Sequence, residues 1–460
     1  MIYMTTFHIS DIVKLIFNDT NSLFKLELMS KYHKNTLRSY ELITTPIYVK
    51  NNSMLLHIAN NYNFKNLKIN KYCDVNKYIN TLVNCHTLNL KYTQITDSNV
   101  IKLKKCHTLN LHSTLVTDLG VKSLKNCYKI NLAYTSVTDK SIKKLKYCHT
   151  VIINNTKATD SGVKKLKNCH ILNISNLPIT DKCLKKFKNS HTIIAANCRD
   201  ITDIGIKKLK NCHSLYFPET RITDNGVKKL YRCHTISVRA GNITDLGAKK
   251  LRHCHTLYLS YTAITDNGVV KLKKCHTLYL AYLTITNKSV KKLGNCHTLN
   301  LRGTKITDSV MIKLKNCSVL DLGNTDITDK GVLQLEKCYN LDLYKTKITD
   351  KSGMYLKNYH TLNLSYTNIT DKTAEKLGRC HTLNLSHTNI THDSIKKLLN
   401  CYALYLNGIY VTNECIQILK CSKLEFNNVN AANNLVKVLK LNGRKINEFL
   451  YKVHLNYKNI

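Results

Sequence analysis

The sequence has no tryptophan, only 3 prolines and 15 glycines, and few acidic residues. The scarcity of proline and glycine argues against a flexible linker between separate domains. No stretch approaches about 18 uninterrupted apolar residues, so we expect no transmembrane helix. The 29 acidic residues are outnumbered by 70 lysines and arginines, which gives a net charge of +41 and favours anionic partners.

The remaining composition is typical of a large folded protein. Hydrophobic residues make up 43% of 460 residues, enough for a sizeable core. The first residues, "MIYMTTFHISDIVKLIF", lack the long apolar segment and small-residue cleavage site of a secretory signal. The 19 cysteines are therefore expected to be reduced thiols in the cytoplasm or nucleus, not in a secreted protein.

A 21-residue repeat dominates the chain. It reads C-H-T-L-N-L-x-x-T-x-I-T-D-x-x-V-K-K-L-K-N, and we number its positions from this cysteine. Position 1 recurs from Cys85 to Cys421, with one step of 22 residues after Ser190 and one of 20 before Cys421. Phe64, with Leu67 and Ile69, fits a degenerate earlier unit. We therefore assign residues 59–430 to a repeat domain.

Each unit changes its apolar spacing midway. Cys380, Leu383 and Leu385 follow L-x-x-L-x-L, which predicts a short strand, and residues three apart such as Val100 and Leu103 then predict a short helix or 3₁₀ segment. The unit closely resembles a leucine-rich repeat. That resemblance implies an α/β solenoid, a horseshoe of about 17–18 units with a concave parallel sheet and short convex helices.

The repeated polar residues have structural interpretations. Thr and Asp at positions 12 and 13, such as Asp97 and Asp118, are expected to cap the helical segment, and Asn287 and Asn413 to preserve that role. Paired catalytic carboxylates are the alternative. Thr93 and its equivalents at position 9 are expected to bond the backbone of a neighbouring loop.

Fifteen of the 19 cysteines occupy position 1, where the pattern points inward. We expect them to fill space as small apolar side chains. Metal binding and disulfide or redox chemistry are the alternatives, but adjacent Cys and His point in opposite directions along an extended segment, and no zinc-type spacing occurs. Ser190 and Tyr359 also replace the cysteine. No metal and no cofactor is therefore expected.

Histidine recurs at position 2 and should line one rim of the solenoid. Such a row could sense pH, or each imidazole could bond a neighbouring strand or remain solvated.

Position 5 should point out of the sheet, and it departs from its usual Asn near the middle of the array. Tyrosines and arginines, residue types enriched in binding hot spots, gather there with two aspartates. Tyrosine's preference for strands is the alternative explanation. The predicted partner-binding residues are Tyr216, Arg239, Tyr258, Tyr261, Tyr279, Tyr282, Arg302, Asp321, Asp342 and Tyr344.

Lysines concentrate in the helical part of each unit, as at Lys143, Lys144 and Lys146. They should form a basic stripe on the convex side that binds nucleic acid weakly and nonspecifically, or an anionic membrane, or that is simply solvated. No nucleic-acid-binding module is evident.

Residues 1–58 lack the repeat and read as two or three short helices. The segment resembles an F-box, with Met29-Ser30-Lys31 at the family's V-S-K, although Ser10 replaces its Pro and His33 its Trp. The resemblance implies docking of a Skp-family adaptor, and through it a cullin ligase. A helical cap for the solenoid is the alternative. The docking residues implied are Ile9, Ile12, Ile16, Phe17, Leu23, Leu26 and Met29.

These features predict a non-catalytic, monomeric protein that recognises a protein substrate for an SCF-type ubiquitin ligase. The alternatives are a free-standing interaction scaffold and a basic solenoid that binds nucleic acid or membrane. Residues 431–460 should cap the second end. The composition is also similar to that of proteins of large DNA viruses of amoebae, which would place this protein in the host cell.

Overall fold

The computed structural model describes residues 46–61, 65–335, 338–419, 421 and 423–426. The chain divides into two compact units, one ending at Arg221 and one beginning at Ile222. Each unit repeats one coil, in which a three-residue strand is followed by a turn and a short helical segment.

Nine strands of the first unit pair in parallel in chain order: β1 (Ile47–Val49), β2 (Asn66–Ile69), β3 (Thr87–Asn89), β4 (Thr108–Asn110), β5 (Lys129–Asn131), β6 (Thr150–Ile152), β7 (Ile171–Asn173), β8 (Thr192–Ile194) and β9 (Ser214–Tyr216). Ten strands of the second unit do the same: β10 (Thr235–Ser237), β11 (Thr256–Tyr258), β12 (Thr277–Tyr279), β13 (Thr298–Asn300), β14 (Val319–Asp321), β15 (Asn340–Asp342), β16 (Thr361–Asn363), β17 (Thr382–Asn384), β18 (Ala403–Tyr405) and β19 (Lys423–Glu425).

The helices are mostly single turns. In the first unit they are α1 (Asn52–Asn61), α2 (Ile79–Leu82), α3 (Asp97–Val100), α4 (Asp118–Val121), α5 (Asp139–Ile142), α6 (Asp160–Val163), α7 (Asp181–Leu184) and α8 (Asp203–Ile206). In the second they are α9 (Asp224–Val227), α10 (Asp245–Leu251), α11 (Asp266–Val269), α12 (Asn287–Val290), α13 (Met311–Leu314), α14 (Asp329–Val332), α15 (Asp371–Ala374), α16 (His392–Ile395) and α17 (Asn413–Ile418). Segments of 3₁₀ helix occupy Ile101–Leu103, Lys122–Leu124, Lys143–Leu145, Lys164–Leu166, Lys207–Leu209, Val270–Leu272, Asp308–Val310 and Asp350–Ser352.

These coils form a leucine-rich repeat solenoid, as the spacing predicted. Six side chains of most coils point into the core and are buried, for example Cys85, Leu88, Leu90, Ile95, Val100 and Leu103. Each of the aliphatic side chains contributes about 1.5–3 kcal/mol when it is fully buried. A single coil covers neither of its open faces, so this burial depends on stacking against the next coil.

The register brings equal positions of successive coils together. Leu88 pairs with Leu109 and Asn89 with Asn110, a step of one repeat. The longer coil keeps the same alignment, since Ile193 pairs with Leu215 across its 22-residue step. The extra residue is accommodated near Arg199 and Asp200, outside the strands. Side chains at one position therefore form columns along each unit.

The threonine at position 12 and the aspartate at position 13 have different roles, although both were predicted to cap the helical segment. The threonine caps its own helix: Thr138 Oγ1 accepts the N–H of Lys140 at 3.2 Å. The aspartate instead reaches the next coil, because Asp118 accepts the Thr138 N–H at 2.8 Å and its hydroxyl at 2.5 Å. The prediction that Asp caps its own helix is therefore wrong, and the carboxylates form a ladder between coils. Asn287 also links to the next coil, because it accepts the Thr307 N–H and its amide donates to the Thr307 hydroxyl.

The turn after most strands is held from within its own coil. Asn89 Oδ1 at position 5 accepts the N–H of Lys91 at position 7, at 3.1 Å. Thr93 at position 9 donates to the carbonyl of Leu90 at 2.7 Å, three residues back, and does not reach a neighbouring coil. Position 8 adopts the left-handed backbone conformation, with φ 66° at Tyr92.

The sheet begins earlier than the boundary predicted at residue 59. Ile47 pairs with Leu67 and Val49 with Ile69, so β1 already belongs to the solenoid. The predicted boundary at residue 59 therefore falls inside the solenoid. The degenerate unit inferred from Leu67 and Ile69 is confirmed as β2. The predicted cap at residues 431–460 lies outside the described residues.

Candidate functional site

The second unit brings four predicted tyrosines together at the ends of β11 and β12. The rings of Tyr258 and Tyr279 stack at 4.4 Å between centroids, with 12° between their planes. Those of Tyr261 and Tyr282 stack at 4.7 Å and 21°. The guanidinium of Arg239 lies over the Tyr261 ring at 5.2 Å. We call these five residues the tyrosine strip.

The tyrosine strip is accessible to a partner. Tyr261 is 47% exposed and Tyr282 40%, whereas Tyr258 and Tyr279 are half-buried. Burial raises the pKa of Tyr282, and the adjacent Tyr261 adds to the effect, so its phenol is neutral near pH 7. The strip thus offers flat apolar rings, hydroxyl groups and one exposed cation.

Four further predicted residues form a cluster next along the array. Arg302 Nε lies 3.1 Å from Asp321 Oδ2, and its terminal nitrogen lies 2.7 Å from Asp342 Oδ2. The guanidinium also lies 4.9 Å from the centre of the Tyr344 ring. We call Arg302, Asp321, Asp342 and Tyr344 the arginine cluster. One cation bridges two carboxylates, so the cluster is partly a structural device.

The two carboxylates are also fixed by backbone and amide groups. Asp321 and Asp342 keep the position 5 bond, accepting the N–H groups of Gly323 at 3.0 Å and Tyr344 at 2.8 Å. Burial and the nearby Asp342 raise the pKa of Asp321, although Arg302 and the Gly323 N–H oppose that shift. Burial alone would lower the pKa of Arg302, but the two carboxylates outweigh it and raise it. Arg302 therefore stays charged.

Two glycines that sequence reasoning missed make room for these groups. A Cβ on Gly303 would lie 2.5 Å from the ring of Tyr282, and one on Gly323 would lie 2.8 Å from the guanidinium carbon of Arg302. Each glycine occupies the same repeat position as the large residue one coil before it. A large side chain followed by glycine at 21 residues was the available signal.

Tyrosine at position 5 removes a bond that the scaffold normally uses. In most coils Asn or Asp at that position accepts the position 7 N–H, as Asn300 does from Arg302 at 3.1 Å. After Tyr279, the Ala281 N–H is instead taken by Ser260 Oγ of the preceding coil, at 3.1 Å. The same replacement follows Ile194 and Tyr405, where Ser175 and Ser386 accept.

The remaining predicted site residues lie elsewhere. Tyr216 belongs to the first unit, half-buried at the end of β9, and is followed by Pro218, which has no N–H to satisfy. The adaptor-docking residues Ile9, Ile12, Ile16, Phe17, Leu23, Leu26 and Met29 lie outside the described residues.

The cysteines at position 1 are buried, as predicted, and are free thiols. Burial raises the pKa of Cys85 and Cys275 to about 12, so they are protonated at neutral pH. Tyr359 fits the same column because its buried hydroxyl donates to the Leu335 carbonyl at 2.9 Å. Among the described residues, no group of three or more His, Cys, Asp and Glu is placed to hold a metal ion.

The histidines at position 2 stack into continuous columns with tyrosine. In the first unit His107, Tyr128 and His149 follow one another with centroids 4.7 and 4.5 Å apart, and the column runs from His86 to His213. Where Thr or Ser follows the histidine, the imidazole Nδ1 also approaches that hydroxyl, as His149 does Thr150 at 3.1 Å. Burial and neighbouring cations lower the pKa of His107 and His149.

No protein-family model and no curated protein matches the sequence. Among solved structures, a leucine-rich repeat protein of Leptospira interrogans is 18% identical, with 80% of this chain and 99% of that chain covered and a TM-score of 0.47. The functional domain of InlJ from Listeria monocytogenes, which includes a cysteine ladder, is 17% identical, with 72% and 75% covered and a TM-score of 0.46.

A third similar structure is the Arabidopsis receptor kinase HAESA in complex with a peptide hormone and a co-receptor. It is 11% identical, with 80% of this chain and 76% of that chain covered and a TM-score of 0.42. At these identities and TM-scores, the function of none of the three extends to this chain. Its assignment as a leucine-rich repeat solenoid rests on its own coils. Within the described ranges, no helix has both the length and the apolarity that crossing a bilayer requires.

Proposed function

We propose that this protein is a non-catalytic recognition subunit whose second unit binds a protein partner through the tyrosine strip. Leucine-rich repeat solenoids serve as binding scaffolds because stacked coils present an extended surface. Tyrosine and arginine dominate binding hot spots because they combine apolar area with polar ends. The strip gathers both residue types on one exposed patch.

The observation that carries this proposal is the loss of the scaffold asparagine. At Tyr258 and Tyr279 the chain gives up the residue that closes the turn in most other coils, and Ser260 supplies the missing acceptor after Tyr279. A position that needs compensation elsewhere is not explained by the needs of the fold. Partner binding explains why tyrosine stands there.

The test restores the scaffold residue. In the variant Tyr258→Asn/Tyr279→Asn, we expect the chain to remain folded, with an unchanged or higher melting temperature. Affinity purification with the proteasome blocked, quantified by mass spectrometry, should show loss of the partners that the wild-type chain captures. The control, Tyr231→Asn/Tyr355→Asn, changes two exposed tyrosines outside the strip and should keep them. Equal capture by all three proteins would reject the strip as the binding surface.

We further propose that residues before β1 form an F-box that docks a Skp-family adaptor and a cullin ligase, so that the bound partner is ubiquitinated. The support is the sequence resemblance of that segment and its position directly before a leucine-rich repeat array. Ubiquitin transfer would then arise from proximity in the complex, without catalytic groups of this chain. The expected location is the cytoplasm or nucleus.

Docking is tested with purified components. The full chain should bind a purified Skp-family protein in a titration calorimeter, and Ile16→Asp should abolish the heat of binding. Ile204→Asp serves as the matched control, because Ile204 is 61% exposed on the solenoid. Wild-type protein that gives no heat, or two variants that bind alike, would refute the F-box assignment.

A free-standing scaffold is the second candidate function. The early start of the sheet at Ile47 favours it, since residues 47–58 belong to the solenoid and leave a shorter segment for adaptor docking. The two candidates share the tyrosine strip. They differ in the calorimetric result, since a free-standing scaffold would not bind the Skp-family protein.

A further inference from the structure

Lysines of the first unit form three columns along its helical side. They occupy positions 17, 18 and 20 of the five coils that begin at residues 106, 127, 148, 169 and 190, except that Ser123 stands at position 18 of the first; the extra residue of the last coil is not counted. We call them the lysine columns. They comprise Lys122, Lys143, Lys164, Lys185 and Lys207, then Lys144, Lys165, Lys186 and Lys208, then Lys125, Lys146, Lys167, Lys188 and Lys210.

The burial of neighbouring apolar residues places these lysines on the surface. Position 16 and position 19 are buried, as at Ile142 and Leu145, so the residues on either side of Leu145 must face solvent. Lys143, Lys144 and Lys146 are accordingly exposed. Since equal positions stack in register, every coil adds its lysines to the same three lines. The positive charges therefore repeat once per coil along the stacking direction.

The acidic residues that could neutralise the lysine columns are engaged elsewhere. Asp118 and Asp139 at position 13 accept hydrogen bonds from Thr138 and Thr159 of the following coils. Asp160 binds Thr180 in the same way. None of the column lysines has a carboxylate within ion-pair distance among the residues that the structure describes. Each coil thus sets two or three column lysines against the one carboxylate at position 13, which leaves the columns with an excess of positive charge.

We propose that the lysine columns bind the phosphodiester backbone of nucleic acid without sequence specificity. A polyanion that runs along the stacking direction meets a cation at every coil and releases its condensed counterions. Asn126, Asn168, Asn189 and Asn211 at position 21 add polar groups beside the lysines, such as commonly contact phosphate and sugar. Insertion into a bilayer favours apolar and aromatic side chains, and Tyr147 is the aromatic residue at positions 17, 18, 20 and 21 of these coils.

The test measures binding of the full chain to a duplex of about 20 base pairs as salt is varied. Lys143→Gln/Lys144→Gln/Lys164→Gln/Lys165→Gln should weaken binding about tenfold and flatten the plot of log K against log salt by about 0.9 for each phosphate that is no longer neutralised. The control, Lys129→Gln/Lys157→Gln/Lys305→Gln/Lys345→Gln, removes the same charge away from the columns. It should change the affinity by less than about threefold, since only general attraction is reduced.

A third arm uses vesicles that contain phosphatidylserine, and a fourth uses a single-stranded oligonucleotide. Binding to either form of nucleic acid that depends on the columns supports the proposal. Equal weakening in both lysine variants would show that net charge alone is responsible and would overturn it. Tighter binding to vesicles than to nucleic acid, or the absence of salt-dependent binding, would overturn it as well.

Discussion

At the scale of single residues, the carboxylate at position 13 links one coil to the next. Asp118 accepts three hydrogen bonds, from the N–H and hydroxyl of Thr138 and from the hydroxyl of Ser141 at 2.5 Å. Burial would raise its pKa, but these bonds outweigh burial and lower the pKa below its usual 3.8. The ladder therefore holds best when its aspartates are ionised.

Removing one of these carboxylates should destabilise the chain measurably. We expect Asp118→Ala to reduce the free energy of unfolding by about 1–3 kcal/mol, because three donors lose their acceptor. Asp118→Asn should cost about 1 kcal/mol or less, since one amide oxygen remains. Urea denaturation followed by circular dichroism measures both. Asn287→Asp, the reverse change at an equivalent position, is the control and should be nearly neutral.

Acid should weaken the ladder for the same reason. An aspartate with a lowered pKa in the folded chain stabilises it fully above pH 3.8, and that contribution is lost as the pH falls through the folded pKa. The unfolding midpoint in urea, measured from pH 5 to pH 2, should drop steeply below about pH 3.8. Asp118→Asn should reduce that drop, and an unchanged profile in the variant would contradict this account.

At the scale of elements, strand and helix follow directly from the repeat, but contacts between coils do not. The spacing of Cys380, Leu383 and Leu385 predicted a strand with three inward residues, and all three are buried. The sequence of a single unit does not reveal whether Asp118 bonds its own helix or the next coil, because the same donor groups recur in every coil. That choice depends on the geometry of stacking.

The stacked columns at position 2 also depend on contacts between coils, which the sequence of a single unit does not predict. The repeated histidine predicted a row on one rim, and the row exists. Its stacking at 4.5 Å, as between His86 and His107, follows from parallel strands whose register is one full repeat. Tyr128, which looked like a departure from the pattern, continues the column as another flat ring.

The column makes stability depend on pH in a second window. A histidine whose pKa is lowered on folding contributes fully above pH 6.5, and that contribution is lost as the pH falls from 6.5 through the folded pKa. His107→Tyr/His149→Tyr keeps the rings stacked beside Tyr128 but removes two such groups. Melting temperatures between pH 7.5 and pH 5 should therefore fall less in this variant than in the wild-type chain.

The control for that experiment is His253→Tyr, which changes a histidine outside the columns. It should leave the pH dependence as it is in the wild-type chain. A double variant that follows the wild-type profile would show that the stacked imidazoles do not control this window.

At the scale of the whole molecule, the buried thiols report on the integrity of the array. Position 1 cysteines such as Cys85, Cys148 and Cys169 have pKa values near 12 because they are buried, so the reactive thiolate is rare at neutral pH. An acid whose pKa is raised on folding stabilises the chain fully below pH 9, and that contribution is lost as the pH rises from 9 towards 12.

Alkylation should consequently follow unfolding. At pH 8, we expect iodoacetamide to modify the native chain no faster than the coils open, and the rate to rise steeply with urea. Mass spectrometry counts the modified cysteines. Ser161→Cys places a thiol at an exposed position and should be modified at once. Rapid labelling of position 1 cysteines in the native chain would contradict their burial.

In three coils, a serine of the preceding coil accepts the position 7 N–H that Asn at position 5 accepts elsewhere, and this allows the sequence to be engineered. Ser260 at position 7 accepts the N–H that the position 5 side chain of the following coil would otherwise accept, so that side chain need not be Asn. Ser175 and Ser386 do the same for the coils that follow them. Ser365 stands at the equivalent place before Asn384. Asn384→Tyr should thus be tolerated there without loss of the turn, so an aromatic pair can be introduced wherever the preceding coil carries serine at position 7.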